Sequence, residues 1–171
     1  FYNTYVLVQQ ATAHHRAANP GSSWLSAFYL ANCDYDGHLW NKLDFGTWVF
    51  HFYLSKFYEF IDTWIILLKG KKPIFLQTFH HAGICILMWS FVASHNNVMG
   101  ICVTVLNSFI HTLMYTYYTF AAIGIKLPFK AVITSCQLLQ FFTGIIYSTP
   151  TYWMENCHTD ATWWTQFWVN M

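Results

Sequence analysis

The sequence predicts an all-α protein, a polytopic bundle of transmembrane helices, and three observations carry that prediction. Of 171 residues, 56% are hydrophobic and only 9% charged. An average soluble domain carries about 25% charged residues, so this chain has too little charge to cover a water-facing surface. Four apolar stretches reach the roughly 20 residues that a helix needs to cross a bilayer. Lysines gather at alternate ends of those stretches, the asymmetry that orients helical membrane proteins. The net charge of +1 supplies no field to attract nucleic acid. No repeat, low-complexity tract or cleavable signal peptide interrupts the chain, so residues 1–171 read as a single domain.

In chain order, residues 1–13 read as the end of one span and 14–44 as a connecting region. Complete spans follow at 45–68, 74–94, 98–124 and 129–153, and 161–171 reads as the start of a last one. Both ends are expected to be truncated. Alternation places the hinge 69–73 (KGKKP) and the hinge 125–128, with Lys130, on one side. The hinge 95–97 (HNN), the region 14–44 and the tail 154–160 fall on the other. Lys69, Lys71, Lys72, Lys126 and Lys130 all lie on the first side, and Asp34, Asp36, Asp44, Glu155 and Asp160 on the second. The lysine side is therefore expected to be cytoplasmic.

Inside these spans stand polar residues that insertion disfavours by roughly 2.5–3.5 kcal/mol for each charge, so they are expected to face a bundle interior or cavity. Lys56, Glu59 and Asp62 recur at i, i+3, i+6 along one side of a helix. An internal salt bridge that tolerates burial would account for them, except that two acids per lysine leave a carboxylate over. Gln77, His80 and His81 share one turn of the next span. Asn107, His111, Tyr115 and Tyr118 form a stripe at i, i+4, i+8, i+11, and Thr134, Gln137 and Gln140 a shorter one. A lone buried histidine is more often a satisfied core residue than a catalyst. Polar stripes on successive spans point instead to a shared pocket. Lys56 and His111 fall near the midplane, and His80 and Asp62 about 5–9 Å toward the cytoplasm.

These residues resemble the ELO fatty-acid elongases, the very-long-chain 3-oxoacyl-CoA synthases. The resemblance rests on Lys56-x-x-Glu59-x-x-Asp62-Thr63, then Gln77-x-x-His80-His81. It continues in Asn107-x-x-x-His111-x-x-Met114-Tyr115-x-Tyr117-Tyr118 and Thr134-x-x-Gln137-x-x-Gln140-Phe141, covering about residues 45–145. The family's histidine box usually reads HxxHH, and Gln77 departs from it. The QxxHH form is similar to microbial and algal members that elongate polyunsaturated chains. The resemblance implies spans two to six, plus the edge of the seventh, of a seven-span bundle closing around an acyl tunnel in the endoplasmic reticulum membrane. It also implies acyl-CoA and malonyl-CoA as substrates, no cofactor and no metal, with other enzymes of the elongation cycle and a second copy as candidate partners.

An imidazole can attack a thioester and hold the acyl group as a reactive acyl-imidazole. The resemblance makes His80 the expected nucleophile. His111 with Asn107 is expected to polarise a carbonyl, and His81 and Asp62 to fix tautomers and move protons. Lys56 and Glu59 are expected to hold the polar network together, with Gln77, Tyr115, Tyr118, Gln137 and Gln140 lining it. Cys85 lies i+4 from His81 and is a second candidate nucleophile, although a small buried thiol is commonly just packing. Lys69, Lys71, Lys72, Lys126 and Lys130 are candidates for CoA phosphates, and topology alone would also place them there.

Two rivals stand beside this reading. A membrane di-iron desaturase or hydroxylase needs about eight cytoplasmic histidines by resemblance. Here His14, His15, His38, His95 and His158 fall in segments on the opposite side. A lipid transporter also lines a path with polar stripes but performs no covalent chemistry. Among five cysteines there is no CxxC pair or zinc-type spacing. The topology puts Cys33 (ANCDYD) and Cys157 (MENCHT) on one side, in polar loops, and family members are similar in carrying a luminal cysteine in each. A bridge between them is expected in an oxidising lumen.

Overall fold

The computed structural model describes residues 2–125, 127–154 and 157. Among them are seven α-helices and no strand. The chain opens with α1 (Tyr2–Ala18) and α2 (Trp24–Cys33). The buried residues of α1 (Thr4, Val8, Ala11, Thr12 and His15) recur at helical spacing and define one face. Ala11 on α1 and Ala27 and Ala31 on α2 are fully buried, small side chains at the close approach of the two helices. Pro20 and Gly21 (φ 97°) turn the chain between them. Ser23 then caps α2, its side chain accepting the Ser26 N–H at 3.1 Å.

The region 14–44 is largely helical. Helix α1 runs five residues beyond its expected end at 13, and α2 and a π-helical turn (His38–Lys42) occupy what was read as a connection. Asp34 organises this segment. It adopts the left-handed conformation (φ 50°, ψ 45°) that ends α2. Its carboxylate accepts the backbone N–H groups of Leu39 at 2.7 Å and Trp40 at 2.8 Å, and the Asn97 side-chain amide at 3.2 Å. One buried acid therefore fixes the π-helical turn and joins it to the start of α6.

The expected span 45–68 forms two helices, α3 (Phe45–Tyr58) and α4 (Phe60–Leu68), interrupted at Glu59. No glycine or proline marks that interruption. Helices α5 (Phe75–Ala93), α6 (Asn97–Ala122) and α7 (Lys130–Ser148) follow near the expected bounds, and a 3-10 turn (Thr149–Trp153) extends α7. The hinges share one closure. Lys71, Asn96 and Ile125 donate their N–H groups to Ile66, Phe91 and Phe120 at 3.1, 3.0 and 2.9 Å. Each follows a residue with positive φ (Gly70, His95 and Gly124), the pattern that satisfies orphan carbonyls at helix C-termini.

The apolar core lies at the end of the bundle opposite the KGKKP hinge. Leu39 and Trp40 of the turn meet Phe45 and Val49 of α3, Met88 and Phe91 of α5 and Ile101 of α6. A Cβ placed on Gly100 would meet Val49 Cγ2 at 3.3 Å, so α6 can press against α3 there because it lacks a side chain. Elsewhere large apolar residues face outward, with Leu68 87% and Phe75 82% exposed. By length and composition, the described helix apolar enough to cross a membrane is Lys130–Thr151, 22 residues long. Of the other expected spans, α3 and α4 are individually short, and α5 and α6 carry the histidines and amides that lower their hydropathy. Buried Thr12 and Thr104 are satisfied within their helices, donating to the Val8 and Gly100 carbonyls at 2.8 and 2.6 Å, whereas the buried Thr63 hydroxyl has no hydrogen-bond partner.

Candidate active site

The interruption at Glu59 sits at the centre of a buried polar cluster. Lys56, one turn earlier on α3, is 2% exposed. Its ammonium donates to Glu59 Oε1 at 2.5 Å and to Asn107 Oδ1 on α6 at 2.6 Å, and lies 4.2 Å from the centre of the Phe52 ring. The Glu59 carboxylate then reaches two further helices. His81 Nδ1 of α5 lies 3.7 Å from Oε2, and His111 Nδ1 of α6 lies 3.6 Å from Oε1. A buried charge needs such partners, since isolated burial of either ion is strongly unfavourable. The acid left over by the lysine count is Asp62, whose carboxylate accepts the Tyr115 hydroxyl at 2.8 Å.

The lysine bonds fix orientation as well as charge, whereas Glu59 Oε2, His81 Nδ1 and His111 Nδ1 face one another buried and without a hydrogen bond. With Asn107 Oδ1 turned to the lysine, its amide N–H₂ remains free to donate elsewhere. A proton on His81 Nδ1 or His111 Nδ1, directed at Glu59, would leave the corresponding Nε2 basic. Beside the cluster lies a cavity of about 280 Å³ lined by Lys56, Glu59, Asn107, His111 and Tyr115. Phe52, Ser55, Tyr58 and Ser108 line it as well. None of these four stood out in the sequence, although Ser108 precedes His111 by three positions and so shares its side of α6.

The structure thus brings together Lys56, Glu59, Asn107, His81 and His111, with Asp62 and Tyr115 in an adjoining pair. His80 is half-buried beside His81, their ring centres 5.7 Å apart. Gln77 is half-buried in the first turn of α5. Gln137 reaches Met114 Sδ at 3.6 Å, linking α7 to α6, and Tyr118 stacks edge-on to Tyr115. The Gln140 side-chain oxygen is buried without a hydrogen bond. Lys69, Lys71, Lys72 and Lys130 are exposed at one end of the bundle, and Lys126 lies outside the described residues. So do Glu155, His158, Asp160 and the stretch 161–171 read as the start of a last span. At the other end Cys33 and Cys157 are disulfide-bonded with Cα atoms 4.8 Å apart. Cys85 is a free thiol on α5.

The whole chain, residues 1–171, matches the family described as ELO: GNS1/SUR4. The chain belongs to the ELO family. Among its ELO relatives, fatty acid elongase sre1 of Dictyostelium discoideum is 43% identical over 63% of this chain and 40% of its own length. Very long chain fatty acid elongase 4 of Trypanosoma cruzi is 34% identical over 81% of this chain and 51% of its own. Very long chain fatty acid elongase 3 of Homo sapiens is 38% identical over 70% and 45% respectively. The chain spans about half the length, or less, of these relatives. No solved structure matches it.

Proposed function

We propose that this chain carries the catalytic core of a fatty-acid elongase, condensing a long-chain acyl-CoA with malonyl-CoA in the endoplasmic reticulum membrane. The observation that carries the reading is the Glu59 carboxylate bonded to Lys56 and faced by His81 and His111, three helices converging beside a cavity. The names of its ELO relatives support it. In this reading all four predicted spans cross the bilayer, and the helices close around an acyl tunnel entered from the lysine-rich side. The exposed Lys69, Lys71, Lys72 and Lys130 receive CoA phosphates at its mouth.

The chemistry divides into two displacements. An imidazole nitrogen of His80 attacks the acyl thioester carbonyl; the C–S bond breaks and CoA leaves as a thiolate that takes up a proton. Malonyl-CoA then loses CO₂. The electron pair of the broken C–C bond attacks the acyl carbonyl, and the C–N bond breaks to restore imidazole. The products are 3-oxoacyl-CoA, CoA and CO₂. In this reading the free amide of Asn107, and His111 when Nε2 carries a proton, donate to the oxyanion in each step. His81, oriented by Glu59, holds or moves the proton. Gln77 at the first position of the box inclines the enzyme toward polyunsaturated chains.

Purified protein supplied with acyl-CoA and malonyl-CoA should release one CO₂ for each 3-oxoacyl-CoA two carbons longer than the substrate. Oxygen-dependent desaturation, or no acyl chemistry at all, would contradict the proposal.

A further inference from the structure

Away from the catalytic cluster, at the end of the bundle opposite the KGKKP hinge, a second group of titratable side chains converges. His14 and His15, in the last turns of α1, and Asp36, just after α2, each offer one ligand atom, and these atoms lie within 4.8 Å of one another. His15 is 9% exposed, and its Nε2 is buried without a hydrogen bond, 4.0 Å from Asp36 Oδ1. A buried imidazole nitrogen without a partner is unfavourable, and this one is aimed at the carboxylate. The His38 ring stacks on that of His14 at 3.8 Å and 5°, and its Nδ1 is also buried and unbonded. Meanwhile the Asp36 carboxylate is held in place by the His38 backbone N–H at 3.1 Å.

We infer that His14, His15 and Asp36 form a binding site for a divalent transition metal of the zinc class, with water in the fourth position. Two imidazoles and one carboxylate suit that class of ion by donor type. Ligand bonds of about 2.0–2.2 Å in tetrahedral geometry put donor atoms roughly 3.4 Å apart. The group must therefore draw in, and His14 and Asp36 both lie exposed at the surface. Bound metal pins the end of α1 to the segment that also carries Asp34 and the bridged Cys33. Its role is a structural clip, independent of the acyl chemistry, and it revises the sequence expectation of a metal-free protein.

The test is Co²⁺ titration of the chelator-stripped, detergent-purified full chain, read by visible ligand-field absorption and competed with Zn²⁺. One equivalent is expected to bind, with a matching rise in unfolding temperature. Asp36→Asn and His14→Ala alter exposed side chains and should weaken binding on the order of tenfold or more, while His80→Ala leaves it intact. Absence of a saturable Co²⁺ signal overturns the inference. So does binding that survives Asp36→Asn together with His14→Ala, or that is lost in His80→Ala alone.

Discussion

At the scale of single residues, Glu59 decides the geometry, because its two oxygens serve three cationic or titratable partners. Removing one partner of a buried ion pair costs about 3–5 kcal/mol, whereas replacing both with groups of similar shape is often neutral. Glu59→Gln should therefore destabilise the folded chain by about that amount and abolish condensation. Lys56→Met with Glu59→Gln should recover much of the stability and none of the activity. A double-mutant cycle on thermal unfolding in detergent checks it, and strictly additive losses would show that the pair is not coupled. The Asp62–Tyr115 contact is a single, less buried hydrogen bond, so Asp62→Asn should cost only about 0.5–1.5 kcal/mol in stability. The motif Lys56-x-x-Glu59-x-x-Asp62 made all three residues legible in the sequence. Which acid would meet the histidines was not legible, because helical spacing puts both on one side and cannot show which neighbouring helix each one faces.

At the scale of elements, the α2–α3 connection depends on two long-range constraints. Asp34 satisfies two backbone N–H groups at once, and an amide offers only one acceptor oxygen. Asp34→Asn should leave a buried donor unpaired and cost about 1–3 kcal/mol, measured as a fall in unfolding temperature. Burial pushes the Asp34 carboxyl above its ordinary value of 3.8, with the Leu39 and Trp40 N–H groups pulling it back down. With the folded value raised, its contribution is most favourable below the unfolded value and is lost as pH rises through the folded one. The Cys33–Cys157 bridge closes a separation of 124 residues, which on the loop-entropy account stabilises by at most about 4–5 kcal/mol. Non-reduced intact mass should fall short of the fully reduced mass by two hydrogens, and Cys33→Ser should abolish the difference and lower the unfolding temperature. An unchanged mass on reduction would contradict the bridge. The hinges were readable because Gly70, Pro73, Gly124 and Pro128 punctuate the chain. The helix α2 and the π-helical turn were not, because short apolar segments between turn residues carry no clear period. Their order comes from Asp34 contacts made across 5, 6 and 63 residues.

At the scale of the whole molecule, a packed apolar core at one end and a polar cluster at mid-depth are held inside an outward-facing apolar surface. Leu139, Phe142 and Ile146 on α7 are exposed, as are Ile86 and Trp89 on α5, a distribution suited to lipid and unsuited to water. Composition pointed to the apolar surface, and the stripes on 45–68, 74–94 and 98–124 each contribute a residue to the cluster, whereas the stripe of Thr134, Gln137 and Gln140 on α7 stays outside it. The break at Glu59 went unannounced because the run Tyr58-Glu59-Phe60-Ile61-Asp62 contains no helix breaker. The central claim is that a histidine of α5 holds the acyl chain between the two displacements. Intact mass of the purified chain after incubation with a long-chain acyl-CoA alone tests it most directly. The account predicts a stoichiometric increase equal to one acyl group, mapped to His80, retained in Cys85→Ala, absent in His80→Ala and discharged on adding malonyl-CoA. An adduct on Cys85, or product formation by a folded His80→Ala chain, would contradict it.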